Sequence, residues 1–227
     1  MGRLFFSGPL VQGKGNKIRI NWFSNGTQLY YDGFPRSGNT YLQHLVNQVW
    51  PHLKAVHHLH TIAPIKIALS HEIPVFILWR APGDTIASNY LKWHVVRGIE
   101  IPAASLLALN LRLLHSFLEE YIDYYSFILH NKDKLHLIHF KSLIYESEET
   151  LIRINNILPI DLKVDITTIN KNVKNAKKIS FGAKETYGAS LPNESKDKAK
   201  LLIIKKLRTM PSFDKAQKLY LDAFKES

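Results

Sequence analysis

Gly33-Phe34-Pro35-Arg36-Ser37-Gly38-Asn39-Thr40 is the stretch on which the fold turns. Before it, Thr27 to Tyr31 reads as a strand. After it, Thr40 to Val49 sets Leu42, Leu45, Val46 and Val49 at helical spacing, and Pro51 stops the helix. A strand entering a helix through a glycine-containing loop brings loop and first-turn N–H groups together as an anion cradle. Gly33, Gly38 and Thr40 keep the spacing of G-x-x-x-x-G-K-[ST], but Asn39 stands where the lysine belongs. In nucleoside triphosphate enzymes that lysine reaches the β and γ phosphates, and the hydroxyl after it holds Mg²⁺. Arg36 instead puts a cation inside the loop, and a guanidinium can make paired bonds to an oxyanion. A plain tight turn with a solvated arginine would carry the same letters, so the rest of the chain has to decide.

Working outward, Ile18 to Phe23 and Thr27 to Tyr31 are strand-like runs split by Ser24-Asn25-Gly26, a hairpin signal. His52 to His60 reads as a second strand and Ala63 to Ser70 as a short helix. Val75 to Trp79 is apolar on both faces, as a central parallel strand should be. Pro82 and Gly83 break the chain after Arg80, and Asp84 or Thr85 can cap a helix to about Val95. A long amphipathic stretch runs from Pro102 to about Leu129. Leu135 to Phe140 is a further strand, and helices follow at about Glu146 to Ile157, Ser195 to Leu207 and Ser212 to Phe224. Alternating strands and helices predict an α/β fold, three layers with a central, mainly parallel sheet flanked by helices. The expected organisation is a single domain over 1–227, with residues 1–27 a hairpin extension and 165–195 a basic loop.

Composition narrows the partners. The 227 residues are 45% hydrophobic and carry a formal net charge of +11, which favours an anionic ligand. Between Asp165 and Glu185 there is no acidic residue, while Lys171, Lys174, Lys177, Lys178 and Lys184 all fall there. The absence of cysteine excludes a disulfide scaffold and thiolate metal sites. No apolar run reaches the roughly 18 residues of a membrane span, and the N-terminus lacks signal-peptide character, so a cytoplasmic protein is expected.

Phe34-Pro35-Arg36-Ser37-Gly38-Asn39-Thr40-Tyr41-Leu42 resembles the PKSGTTWL-type 5′-phosphosulfate loop of sulfotransferases that use 3′-phosphoadenosine 5′-phosphosulfate (PAPS). A second landmark is the run from Ile77 through Arg80 to Ser88. In that family an arginine at a strand end and a serine eight residues later hold the 3′-phosphate, and Arg80 and Ser88 match in spacing and setting. Leu137 to Leu143, followed by Glu148-Glu149-Thr150-Leu151, is a degraded match to the segment that closes the family's sheet, with Phe140 in the place of the tyrosine near adenine. The resemblance runs from about Gln28 to Leu158. It implies a P-loop fold that moves a sulfuryl group from PAPS to a hydroxyl or amine and leaves PAP, with no metal. The cofactor contacts it implies are Arg36, Ser37, Gly38, Asn39, Thr40, Tyr41, Arg80, Ser88 and Phe140, with Lys178 and Lys184 as cations over the 3′-phosphate.

His57-His58-Leu59-His60 closes the second predicted strand, and alternation puts His58 and His60 on one face. In the family a K-T-H sequence occupies this place. By position His60 is the base and His58 stands where the lysine was; imidazole, with a reference pKa of about 6.5, suits the task. No carboxylate stands near in sequence, so a metal site ranks low. The catalytic set implied is therefore His60, Arg36 and His58. Tyr90, Trp93 and His94 are expected near the pocket of a small-molecule or carbohydrate acceptor. Rival readings are a P-loop kinase, against which Asn39 and the Arg80/Ser88 pair argue, and a family member that binds PAP or PAPS without turnover. A nucleic-acid-binding protein has only the net charge in its favour and no recognition module, so no nucleic acid is expected as a partner.

Overall fold

The computed structural model describes residue 23, residues 26–96, 109–159 and 194–225, and positions 169, 171, 173 and 174. Of the expected hairpin only Phe23 and the residues from Gly26 onward are described; the start of the stretch at Pro102 and Lys178 and Lys184 lie outside the described residues, and the described positions of the expected basic loop (169, 171, 173, 174, 194 and 195) are helical instead.

The strands are β1 (Leu29–Gly33), β2 (Ala55–His57), β3 (Val75–Trp79) and β4 (His136–His139), in the spatial order β2-β1-β3-β4. All their pairings are parallel, in the register Tyr31 to His57, Gly33 to Leu78 and Trp79 to His139. The helices are α1 (Asn39–Val49), α2 (Ile62–Ser70), α3 (Pro82–Val96), α4 (Leu111–His130), α5 (Phe140–Tyr145), α6 (Ser147–Ile157), α7 (Glu194–Leu207) and α8 (Ser212–Ala223).

Alternation along β1 and β3 divides the core into two. Tyr30, Val75, Ile77 and Trp79 face one side, where they pack on Ile65 of α2, Ile86 and Tyr90 of α3, Tyr121 and Tyr125 of α4, Ile203 of α7 and Phe213 of α8. Leu29, Tyr31, Phe76, Leu78 and Ile138 face the other side, against Leu42 and Leu45 of α1, Leu143 of α5 and Leu151 of α6. Each such fully buried aliphatic or aromatic side chain contributes about 1.5–3 kcal/mol. The result is the expected three-layer α/β architecture with helices on both faces of the sheet.

α3 opens at Pro82, with Asp84 inside its first turn and the Thr85 amide already donating to Ala81 O at 3.0 Å, so neither residue caps it as expected. Two further boundaries differ from expectation, each for a physical reason. β2 ends at His57 instead of reaching His60, and His58 and His60 take left-handed backbone conformations (φ 61 and 52). The Leu59 and His60 amides turn away from the sheet to donate to the Asp32 carboxylate, at 3.0 and 2.6 Å. At the other edge Phe140 opens α5 rather than extending β4. Its ring packs beside Gly38 and beneath Arg80, a tertiary pull that a strand-forming residue type does not announce.

Candidate active site

Chain connectivity places the sheet's reversal point between β1 and β3. From β1 the chain steps to β2 on one side, then returns past β1 to β3 on the other. Open α/β sheets bind ligands at such a point, beyond the C-terminal strand ends. Each of the four strand ends here delivers residues singled out from the sequence: Arg36 to Tyr41 after β1, His58 and His60 after β2, Arg80 after β3 and Phe140 after β4.

The loop after β1 is shaped by two glycines. A Cβ on Gly33 would lie 2.5 Å from the Leu78 carbonyl oxygen, so only glycine allows β1 to run this close to β3. Gly38 caps α1 at φ 103, and a Cβ there would meet Leu143 at 3.0 Å and Phe140 at 3.2 Å. Among the helix's first residues, Asn39 turns its amide nitrogen inward to Gly33 O (3.2 Å) and Phe34 O (3.4 Å). A neutral clamp on the loop thus occupies the position of the triphosphate-binding lysine. Ser37 is fully buried, its hydroxyl 3.1 Å from that of Tyr125, and the Tyr41 hydroxyl lies 2.9 Å from Ser147 Oγ. These two side chains anchor the loop to the core, so the first N–H groups of α1 need not be satisfied by their hydroxyls. Thr40 Oγ1 lies 3.3 Å from His58 Nε2.

Arg36 adopts a left-handed conformation (φ 76), which carries its guanidinium toward α3, where Nε donates to Ser88 Oγ at 3.1 Å. Arg80 donates from Nη1 to the Arg36 carbonyl at 3.1 Å and lies over the Phe140 ring, 4.3 Å from its centroid. Thr85 and Tyr121 hydroxyls in turn hold the Arg80 carbonyl, at 3.2 and 2.8 Å. Arg36, Ser88, Arg80 and Phe140, read from three separate segments, therefore form one cluster. Burial, then the Arg80 charge, lowers the Arg36 pKa; burial, then the Arg36 charge, does the same to Lys92. Crowded, partly desolvated cations of this kind are relieved by an anion. Arg80 Nε is buried with no hydrogen-bond partner among the described residues, a donor that such an anion would satisfy.

At the other end of the loop the histidines gather around a carboxylate that sequence reasoning missed. Asp32 is fully buried on β1. It accepts from the Tyr30 hydroxyl (2.9 Å) and the Gly33 amide (2.8 Å), besides the two amides already named. Its Oδ1 lies 2.9 Å from His60 Nδ1, and the Gly33 carbonyl is 2.8 Å from the same nitrogen. Burial alone would raise the Asp32 carboxyl, but the bond and charge of His60 and the backbone amides outweigh it and hold it below the ordinary 3.8. Burial would lower His60, yet the Asp32 bond and charge win and raise it above 6.5. His58 is pushed down to about 4 by burial and by its histidine neighbours His60 and His57, so it is neutral at pH 7. The two rings do come together, 5.6 Å apart, through loop geometry rather than strand alternation. The signal for Asp32 was present in the sequence as one acidic letter inside the apolar strand Leu29-Tyr30-Tyr31-Asp32-Gly33.

Tyr90 and His94 are buried and committed to the protein: the Tyr90 hydroxyl accepts from the Asn110 amide at 2.8 Å, and His94 Nδ1 lies 2.9 Å from Tyr90 O. A separate cavity of about 490 Å³ at the β4 edge is lined by residues including Lys132, His139, Arg153 and Phe224, and neither arginine of the cluster nor His60 reaches it. Among the described residues no group of three or more His, Cys, Asp or Glu side chains could hold a metal ion, and no helix is long and apolar enough to cross a membrane.

No protein-family model matches the sequence, and no curated protein matches it. The structure does have a solved counterpart: mouse sulfotransferase SULT7A1, crystallised in complex with PAP, superposes with a TM-score of 0.55 at 12% identity, over 90% of this chain and 86% of the mouse chain. The fold is of the P-loop sulfotransferase type. In this fold the loop from Gly33 to Thr40 joins β1 to α1.

Proposed function

We propose that the protein is a sulfotransferase that moves a sulfuryl group from PAPS to a hydroxyl or amine of a small-molecule or carbohydrate acceptor. The observation that carries the reading is the cluster of Arg36, Ser88 and Arg80 at the sheet's reversal point, with an unsatisfied buried Arg80 Nε. Two anionic ends, a 3′-phosphate and a 5′-phosphosulfate, distinguish PAPS from ATP, and two arginines from separate strand ends, Arg36 after β1 and Arg80 after β3, suit them. The mouse counterpart was crystallised with PAP, which favours the same ligand class here.

Arg80 and Ser88 hold the 3′-phosphate in this reading, with Phe140 against the adenine side. Arg36 and the N–H groups at the start of α1 face the 5′-phosphate and stabilise the charge that builds on it. PAPS supplies the activated sulfuryl group. As the acceptor oxygen forms its new bond to sulfur, the bond from sulfur to the bridging phosphate oxygen breaks, and its electron pair leaves with PAP. His60 takes the acceptor proton. The chemistry needs no metal, so activity should survive EDTA. Lys178 and Lys184 remain the proposed cations over the 3′-phosphate, and the proposed location is the cytoplasm.

Incubating the full chain with radiolabelled PAPS and a panel of sugars, phenols, alcohols and amines tests the reaction. Label should pass to one acceptor class and be lost in His60→Ala. A protein that binds PAP yet transfers nothing to any acceptor would instead be the non-catalytic ligand binder.

A further inference from the structure

We propose that Asp32 is the positioning residue of the base: its carboxylate, together with the Gly33 carbonyl, keeps a proton on His60 Nδ1 and leaves the Nε2 lone pair for the acceptor. This rests on His60 being the base. The geometry fixes the tautomer by hydrogen-bond logic. Both partners of Nδ1, Asp32 Oδ1 at 2.9 Å and Gly33 O at 2.8 Å, are acceptors only, so Nδ1 must donate. When the ring is neutral its lone pair therefore sits on Nε2.

The rest of the arrangement has the same purpose. Oδ2 of the same carboxylate binds the amides of Leu59 and His60 and the Tyr30 hydroxyl, which fixes the backbone on either side of the imidazole. A fully buried carboxylate is costly unless paired. The groups facing it are Tyr30 and Tyr31 beside it, Tyr124 and Tyr125 from α4, and the histidines His57, His58 and His60, with His44 of α1 reaching His58. Of these, His60 is the one that offsets the Asp32 charge, because the tyrosines stay neutral, burial lowers both His57 and His58, and only His60 is raised. An apolar residue would complete β1 at less cost if packing alone were at stake. The same division of labour, a carboxylate orienting a histidine that shuttles the proton, is worth about 10⁴-fold in kcat where a serine hydrolase loses it.

The test begins on the unaltered full chain, by nitrogen-15 NMR of its histidines. His60, assigned by its loss in His60→Ala, should carry its proton on Nδ1 when neutral and titrate above 6.5. In Asp32→Asn that titration should move down, kcat should fall about 10²–10⁴-fold with PAP affinity unchanged, and the acid limb of the pH–rate profile should shift to lower pH. In the His60→Ala background the same substitution should cost little further, since its effect runs through His60. A proton on Nε2, or a folded Asp32→Asn with unaltered kcat and pH profile, overturns the proposal. Should Asp32→Asn fail to fold, the tautomer of the unaltered chain still decides. If His60 shows the expected tautomer while no acceptor is sulfated, the pairing stands and the assigned reaction falls.

Discussion

At Gly33 there is no room for a side chain, and the consequence can be measured. An added Cβ would press on the Leu78 carbonyl oxygen, a backbone atom that cannot swing aside. Gly33→Ala should therefore cost about 1–3 kcal/mol in urea unfolding, the usual range for overpacking. Arg36 is a charge question rather than a space question. In the proposed reaction Arg36 stabilises the leaving group while Arg80 holds the 3′-phosphate, so Arg36→Ala should lower kcat about 10²–10³-fold with little change in PAP binding. As the proposed base, His60 would set the pH dependence. As its pKa lies above 6.5, kcat should climb as pH rises through that raised value and the ring becomes neutral. Stability runs the opposite way on that side. The contribution of His60 is complete below 6.5 and is lost as pH rises through its raised pKa. That of Asp32 is present above 3.8 and is lost as pH falls through its lowered pKa. Thermal unfolding followed against pH should thus peak between the two, while activity peaks on the alkaline side.

At the scale of elements, α4 braces the loop through one hydroxyl. Tyr125 OH donates to Leu78 O at 2.8 Å, accepts from the Phe34 amide at 3.3 Å and lies 3.1 Å from Ser37 Oγ, while its ring stacks on Trp79 with centroids 4.2 Å apart. Tyr125→Phe keeps the stack and orphans the polar atoms, so it should cost about 1–3 kcal/mol of stability and loosen the loop. Equilibrium unfolding would read the first effect and PAP affinity the second. The elements themselves were largely legible in the sequence. Leu29 to Gly33, Val75 to Trp79 and the helices that follow them announce themselves by apolar period and by Pro and Gly breaks. What was not legible came from side chains that recruit backbone across the fold. Asp32 pulls Leu59 and His60 out of a strand that letters alone would extend, and Phe140 starts a helix because Gly38 and Arg80 lie against it. The same limit applies to the site. Spacing and the family resemblance singled out Arg36, Arg80, Ser88 and the histidines, but gave no sign that the Ser37 and Tyr41 hydroxyls bind Tyr125 and Ser147.

For the whole molecule the governing fact is a net charge of +11 on a sulfotransferase-type fold. An excess of that size raises affinity for any polyanion, so PAP binding should weaken as salt is added, whereas a site-specific ligand should still raise the melting temperature at physiological ionic strength. If Arg80 and Ser88 seat a 3′-phosphorylated nucleotide beside Arg36, calorimetric titration of PAP into the unaltered chain and into Arg80→Ala will show it. One PAP should bind per chain, ATP should compete poorly, and Arg80→Ala should weaken PAP about 10- to 100-fold, the worth of a charge-assisted hydrogen bond. Absence of PAP binding to the unaltered chain, or equal affinity in Arg80→Ala, would contradict the claim.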